Sequence, residues 1–307
     1  SVKLKNYVTG DSLPLVILHE KESTFDFSFF TKDNRLINTK DLYFTSVPTG
    51  DPLKFVYRLT VSDDTWLDYI YTLKENDYRL HFELKGNNLF NAISSNTNSL
   101  DFNFSMKMPQ QEKGRKFEER YSGMNYKFPG DDVEKLNENK DDSKSIANPV
   151  KWVSFKDQFF ACIVIADKDF FVFVLSSNVL KEGPYLKNFN MTSTVSFDSK
   201  DQSVGLQLFL GPIKHSLLRS YDKGISSSEQ LDLDKIVPLG GKIIRWANTG
   251  IIIPMFNLFG KFISNYGIII LLMTFVIKLI LFPFTYKSYM SSAKMKVLQP
   301  QINEINK

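Results

Sequence analysis

Twenty-one residues near the C-terminal end, from Tyr266 to Tyr286, contain a single charge, and this constrains the chain more than any other feature. Read as a helix at about 1.5 Å per residue, the run is about 30 Å long, the thickness of a bilayer's hydrocarbon core. Tyr266 and Tyr286 stand at its two edges, where amphipathic rings settle at the water boundary. Residues 265–286 therefore read as one transmembrane helix.

The charge is Lys278. A lysine near the bilayer centre costs about 2.5–3.5 kcal/mol on insertion scales. The nearer edge lies about 12 Å away along the axis, and a lysine stem covers only about half of that. Thr274 sits one turn earlier on the same face. Two readings follow: a tilted helix whose lysine stretches to the headgroups, or a polar pair lining a hydrated cavity within a larger helix bundle. Pro283 removes one backbone hydrogen bond, so a kink is expected there.

Upstream, the 24 residues from 241 to 264 alternate Trp, Phe and Ile with Lys242, Arg245, Thr249, Asn257, Lys261 and Ser264 at mostly helical gaps. Pro254 should bend or interrupt this helix. Its pattern suits a segment lying in the membrane interface with Trp246 as an anchor; the alternative is a helix packed on the preceding domain. Lys287, Lys294 and Lys296 follow the span, while Arg245 and Lys261 precede it, which leans toward a cytoplasmic C-terminal side. The preceding domain then lies outside the cytoplasm and needs an upstream export signal or anchor. The chain opens without Met and stops within a charged, helix-prone stretch, so both ends are expected to belong to something longer.

The 307 residues suggest about two units. Residues 1 to about 235 read as strands. Leu100 to Met108 keep strict period two, and Thr24 to Phe29 do the same. Further runs lie at 15–18, 78–84, 159–166, 170–175, 192–197 and 204–210, which predicts a large antiparallel sandwich. Residues 131–148 read as a long polar loop, 212–221 as a short helix and 224–229 as a linker. The expected division is a β domain over 1–235, a linker and interfacial helix over 236–264, the span over 265–286 and the start of a helical loop over 287–307.

A net charge of +4 is too small to argue for nucleic acid. One cysteine, Cys162, excludes an intrachain disulfide and any Cys-rich metal site, and its apolar strand suggests a core residue. His19, His81 and His215 match no metal spacing. The sequence has no Gly-rich phosphate loop and no nucleophile elbow. Glu118-Glu119 and Asp131-Asp132 read as solvated faces. No enzyme, cofactor or metal site is expected.

Three stretches are more specific than membrane composition requires: Asn265-Tyr-Gly-Ile-Ile-Ile270, Leu281-Phe-Pro-Phe-Thr285 and Met295-Lys-Val-Leu-Gln-Pro300. Together they resemble the YidC (Oxa/YidC/Alb) family of membrane protein insertases, at its second transmembrane helix and the start of its first cytoplasmic loop. Trp152-Val153, Gln158-Phe-Phe-Ala161 and Leu208-Phe-Leu-Gly-Pro212 resemble the large periplasmic domain of Gram-negative members. The resemblance implies a mutarotase-like β-supersandwich without catalysis, then a periplasmic interfacial helix. It also implies a bacterial inner-membrane location and five core helices around a hydrated groove. The implied partners are nascent membrane proteins, the Sec translocon, membrane lipids, and the ribosome through cytoplasmic regions outside this chain. A groove arginine of the family corresponds to Lys278, which keeps the charge but lacks the planar fork; Thr274 corresponds to a groove threonine. Two rival readings are a membrane-anchored carbohydrate-binding domain, which calls for a pocket lined by both aromatics and carboxylates, and a scaffold β domain.

Overall fold

Period-two alternation builds the core. In the strand Ser99–Pro109, Leu100, Phe102, Phe104, Met106 and Met108 are all buried, because successive side chains of a strand take opposite faces. The computed structural model describes residues 1–94, 97–197 and 200–305; the last two residues of the tail expected over 287–307 lie outside them. The described residues separate into two compact units, Ser1–Val237 and Pro238–Lys307.

The first unit is mainly antiparallel β. Fourteen strands form one sheet, and Val2–Val8 pairs separately with Pro14–Leu18. The sheet's main path begins at Leu36–Asn38 and passes through Ser23–Phe30, Ser99–Pro109, Tyr185–Ser196, Phe160–Val179 and Ser203–Pro212. It continues through Arg79–Asn87, Thr65–Leu73 and Lys54–Ser62 to Thr45–Val47. Phe rings fill its interior: Phe25 meets Phe82 and Phe27 meets Phe102, each at 4.9 Å. Such pairs contribute about 0.5–1.5 kcal/mol beyond the area they bury.

Three local expectations change. The runs at 159–166 and 170–175 are one twenty-residue strand, Phe160–Val179. The ladder jumps from Trp152 opposite Ile165 to Val150 opposite Phe170, so the polar triplet Asp167-Lys168-Asp169 is extruded as a bulge and the strand continues. The stretch 131–148 is not a plain loop: it contains the strands Val133–Lys135 and Asp142–Ile146. Polar contacts hold it, with Glu134 receiving Tyr126 Oη at 2.5 Å and Lys144 Nζ at 2.7 Å, while Leu136 and Ile146 are buried. The hairpin Lys54–Ser62/Thr65–Leu73 escapes the alternation rule because Arg58 and Asp68 face each other across it in a bidentate pair, both contacts at 2.7 Å.

After the short helix His215–Ser220, the chain is strapped back onto the sheet. Leu231, Leu233 and Ile236 pack with Trp152, Ile163 and Phe209, and Trp152 Nε1 donates to the Leu231 carbonyl at 2.6 Å.

The second unit is helical. Lys242–Ala247 is α-helical, Asn248–Ile252 forms a π turn, and Ile253–Phe259 resumes the α-helix. Pro254 has no N–H for the Gly250 carbonyl, and the helix widens at that point. A single helix then runs for 40 residues, Tyr266–Ile305. Asn265 Oδ1 caps it by accepting from Gly267 N at 2.9 Å.

Candidate functional site

Residues 266–296 of the long helix are apolar and long enough to cross a bilayer. Ile269 and Met273 are buried; on this side the helix packs on Ile253–Phe259, and Tyr266 stacks on Phe256 at 5.9 Å. Lys278 and Thr274 are exposed. At about 100° per residue, their face lies about 140° around the helix from Ile269 and Met273. Thr285, Ser288 and Ser292 fall within about 40° of Thr274 on the same count, and all three are exposed. Lys278 thus belongs to a polar stripe whose lower half the sequence reading did not pick out; a helical wheel extended past Tyr286 reveals it.

Thr274 Oγ1 donates to the Ile270 carbonyl at 2.8 Å, so its hydroxyl proton is engaged and its lone pairs remain as acceptors. Thr285 bonds the Leu281 carbonyl in the same manner at 2.9 Å. The helix is unbroken through Pro283, although the Leu279 carbonyl there has no proline N–H to receive. Of the three aromatic residues expected as anchors, Trp246 and Tyr266 are each 67% exposed, and Tyr286 lies 6.2 Å from Phe282.

Polar groups within the β unit are mostly committed to the fold. Glu118 is not on a solvated face. It is fully buried and accepts the backbone N–H groups of Gln111 and Glu112 at 2.9 and 3.0 Å, and burial raises its pKa. Lys187 is also buried and donates to the Ser122 and Glu138 carbonyls, both at 2.6 Å; burial pushes its ammonium down to about 8. Cys162 lies wholly inside, and burial pushes its thiol up. Asp222, Asp232 and Asp234 gather their carboxylates together. Asp222 accepts from the N–H groups of Leu231 and Asp232, and Asp232 takes Lys127 Nζ at 2.8 Å. His81 Nε2 meets Asp167 Oδ2 at 3.0 Å beside the bulge.

Two cavities separate the features that a sugar site would combine. A cleft of about 720 Å³ is lined by Phe25, Phe44, Phe55, Tyr57, Tyr69, Tyr71 and Phe104, with no carboxylate among its described lining residues. A pocket of about 250 Å³ carries Glu83, Asp167, Asp169 and Asp201 beside His81, with no Phe, Tyr or Trp among its described lining residues.

Residues 1–258 match the family model described as YidC periplasmic domain, and residues 258–307 match the one described as 60Kd inner membrane protein. A membrane protein insertase YidC of Parabacteroides distasonis is 50% identical over 305 residues, covering 99% of this chain and 48% of that protein. The protein of the same name from Porphyromonas gingivalis is 41% identical over 308 residues, covering 99% of this chain and 49% of its own length. The chain spans about half the length of the curated relatives it matches. Among solved structures, an alpha-N-acetylgalactosaminidase of Bifidobacterium bifidum overlays 65% of this chain and 33% of its own at a TM-score of 0.40 and 9% identity, too distant a likeness to carry an argument.

Proposed function

The chain belongs to the YidC family of bacterial inner-membrane proteins, and from that premise we propose that it is part of a membrane protein insertase and chaperone. The β unit projects into the periplasm, the helix from Tyr266 crosses the membrane, and Lys287, Lys294 and Lys296 lie on the cytoplasmic side. Trp246 and Tyr266 anchor the outer interface and Tyr286 the inner one. Nascent membrane proteins are the substrates, alone or handed over by Sec translocon components. The ribosome docks on cytoplasmic regions outside this chain. Nucleic acid has no part, and no covalent bond is made or broken.

The mechanism lowers the barrier for a short polar segment. A translocated carboxylate gives up hydration in hydrocarbon. Lys278, on the wall of a wet groove, offers it a counter-charge; two unit charges about 4 Å apart attract by about 4 kcal/mol at an effective dielectric near 20. Thr274 presents acceptor lone pairs beside it. The apolar part of the substrate then leaves along the Phe- and Leu-covered side into lipid.

One observation carries this reading: Lys278 and Thr274 share an exposed face of a helix that is otherwise apolar from Gly267 to Phe284. In the full-length protein, Lys278→Ala should weaken insertion of substrates with acidic translocated tails, and Lys278→Arg should retain it. Equal insertion by the alanine variant and wild type removes Lys278 from the mechanism.

A further inference from the structure

Charge is divided unevenly along this chain. Residues 238–307 carry eight Lys or Arg and one acid, Glu304, whereas residues 1–237 carry thirty basic and thirty-three acidic residues. No Asp or Glu lies between Asp234 and Glu304. Within this stretch the segment Lys242–Ser264 displays Ile243, Trp246, Leu258 and Phe262, each more than half exposed. Lys261, also exposed, stands beside Phe262 just past the end of the helix Ile253–Phe259.

We infer that this segment selects anionic phospholipids, with Lys261 binding the headgroup phosphate of a lipid such as phosphatidylglycerol. Exposed Trp, Phe and Ile side chains alone would enter any bilayer interface and would not distinguish one headgroup from another. Lys261 adds that discrimination, because a basic residue close to an anionic leaflet gains about 1 kcal/mol, or about fivefold, within a Debye length. The β unit, with a net excess of acids, has no overall attraction to such a surface, so the attraction must come from residues 238–307. Basic residues ahead of the span also run against the bias that gathers Lys and Arg on the cytoplasmic side; an anionic outer leaflet offsets that.

The inference rests on the interfacial placement of this segment, and one experiment separates the two. The 307-residue chain is reconstituted into phosphatidylcholine nanodiscs containing a minor fraction of dibrominated phosphatidylglycerol or, in parallel, dibrominated phosphatidylcholine. Fluorescence is read from a Trp246→Phe/Phe262→Trp variant, which places the reporter beside Lys261, with a Trp246→Phe variant subtracting Trp66 and Trp152. Quenching should indicate about threefold or greater enrichment of the glycerol lipid, lost on adding Lys261→Gln and reduced by molar salt. Quenching by both lipids to the same extent, or an unchanged preference with Lys261→Gln, overturns the anionic selection and leaves the interfacial placement standing. Absence of quenching by either lipid overturns both.

Discussion

Asp157 should make the β unit lose stability as pH rises toward neutrality, and Asp157→Asn should remove that loss. Asp157 closes the turn between Val150–Lys156 and Phe160–Val179; its Oδ1 accepts the N–H groups of Phe159 and Phe160 at 2.7 and 2.6 Å. It is 3% exposed. Burial pushes its pKa from 3.8 up to about 7, the two N–H bonds pull the other way, and the charge of Glu118 adds to the rise. The unfolded chain releases this proton near the ordinary value. The contribution to stability is therefore fully present below about pH 4 and is lost as pH rises through about 7. Three units at about 1.4 kcal/mol each amount to about 4 kcal/mol. The asparagine variant keeps the accepting oxygen and carries no charge, but it adds a buried –NH₂ whose missing partners cost about 1–3 kcal/mol. The expected net gain at pH 8 is about 1–3 kcal/mol, absent at pH 4. Urea unfolding of the 307-residue chain in detergent, followed by the fluorescence of buried Trp152, measures this at both pH values. Glu118 and Lys156 titrate in both proteins, so the comparison largely cancels them. An equal shift in midpoint at the two pH values, or a variant less stable at pH 8, refutes the reasoning.

The remaining predictions concern the bulge and the strap. A Cβ on Gly205 would lie 2.1 Å from Asp167 Oδ2, so Gly205→Ala should separate Asp167 from His81. The His81 pKa, held above its ordinary value chiefly by the hydrogen bond it donates to Asp167, should then fall in an NMR titration; in the wild type, the stability it confers is lost as pH rises through that raised value. Trp152→Phe removes the donor to the Leu231 carbonyl and should destabilise the strap by about 1–3 kcal/mol, seen as faster hydrogen exchange confined mainly to residues 224–237.

The sequence reveals this fold unevenly, for physical reasons. Ser99–Pro109 is readable because each buried side chain is apolar and its neighbour is not, which is a local property. Glu118, Lys187 and the stretch 131–148 are not readable. Lys187 is buried because carbonyls 65 and 49 residues away receive its protons, and Glu138 lies 3.4 Å from Lys156 Nζ. Local periodicity carries no record of such partners. Asp26 repeats the lesson inside a well-read strand: it is buried because Thr39 Oγ1 and Lys40 N donate to it at 3.1 and 2.8 Å. In the membrane unit the opposite holds. The span is apparent from composition alone, and Lys278 stands out because nothing around it is charged. The π turn ahead of Pro254 follows from a missing N–H, which identifies where the helix is interrupted and leaves open the form the interruption takes.

Whether water reaches Lys278 in the assembled protein is the most direct test. In a full-length protein cleared of other reactive cysteines, Lys278→Cys and Leu279→Cys place a thiol at nearly the same depth on faces about 100° apart. Thiolate formation needs water. A water-soluble maleimide should alkylate the first thiol rapidly and the second slowly. Equal, slow alkylation of both would mean that Lys278 sits against acyl chains, which contradicts the proposed groove.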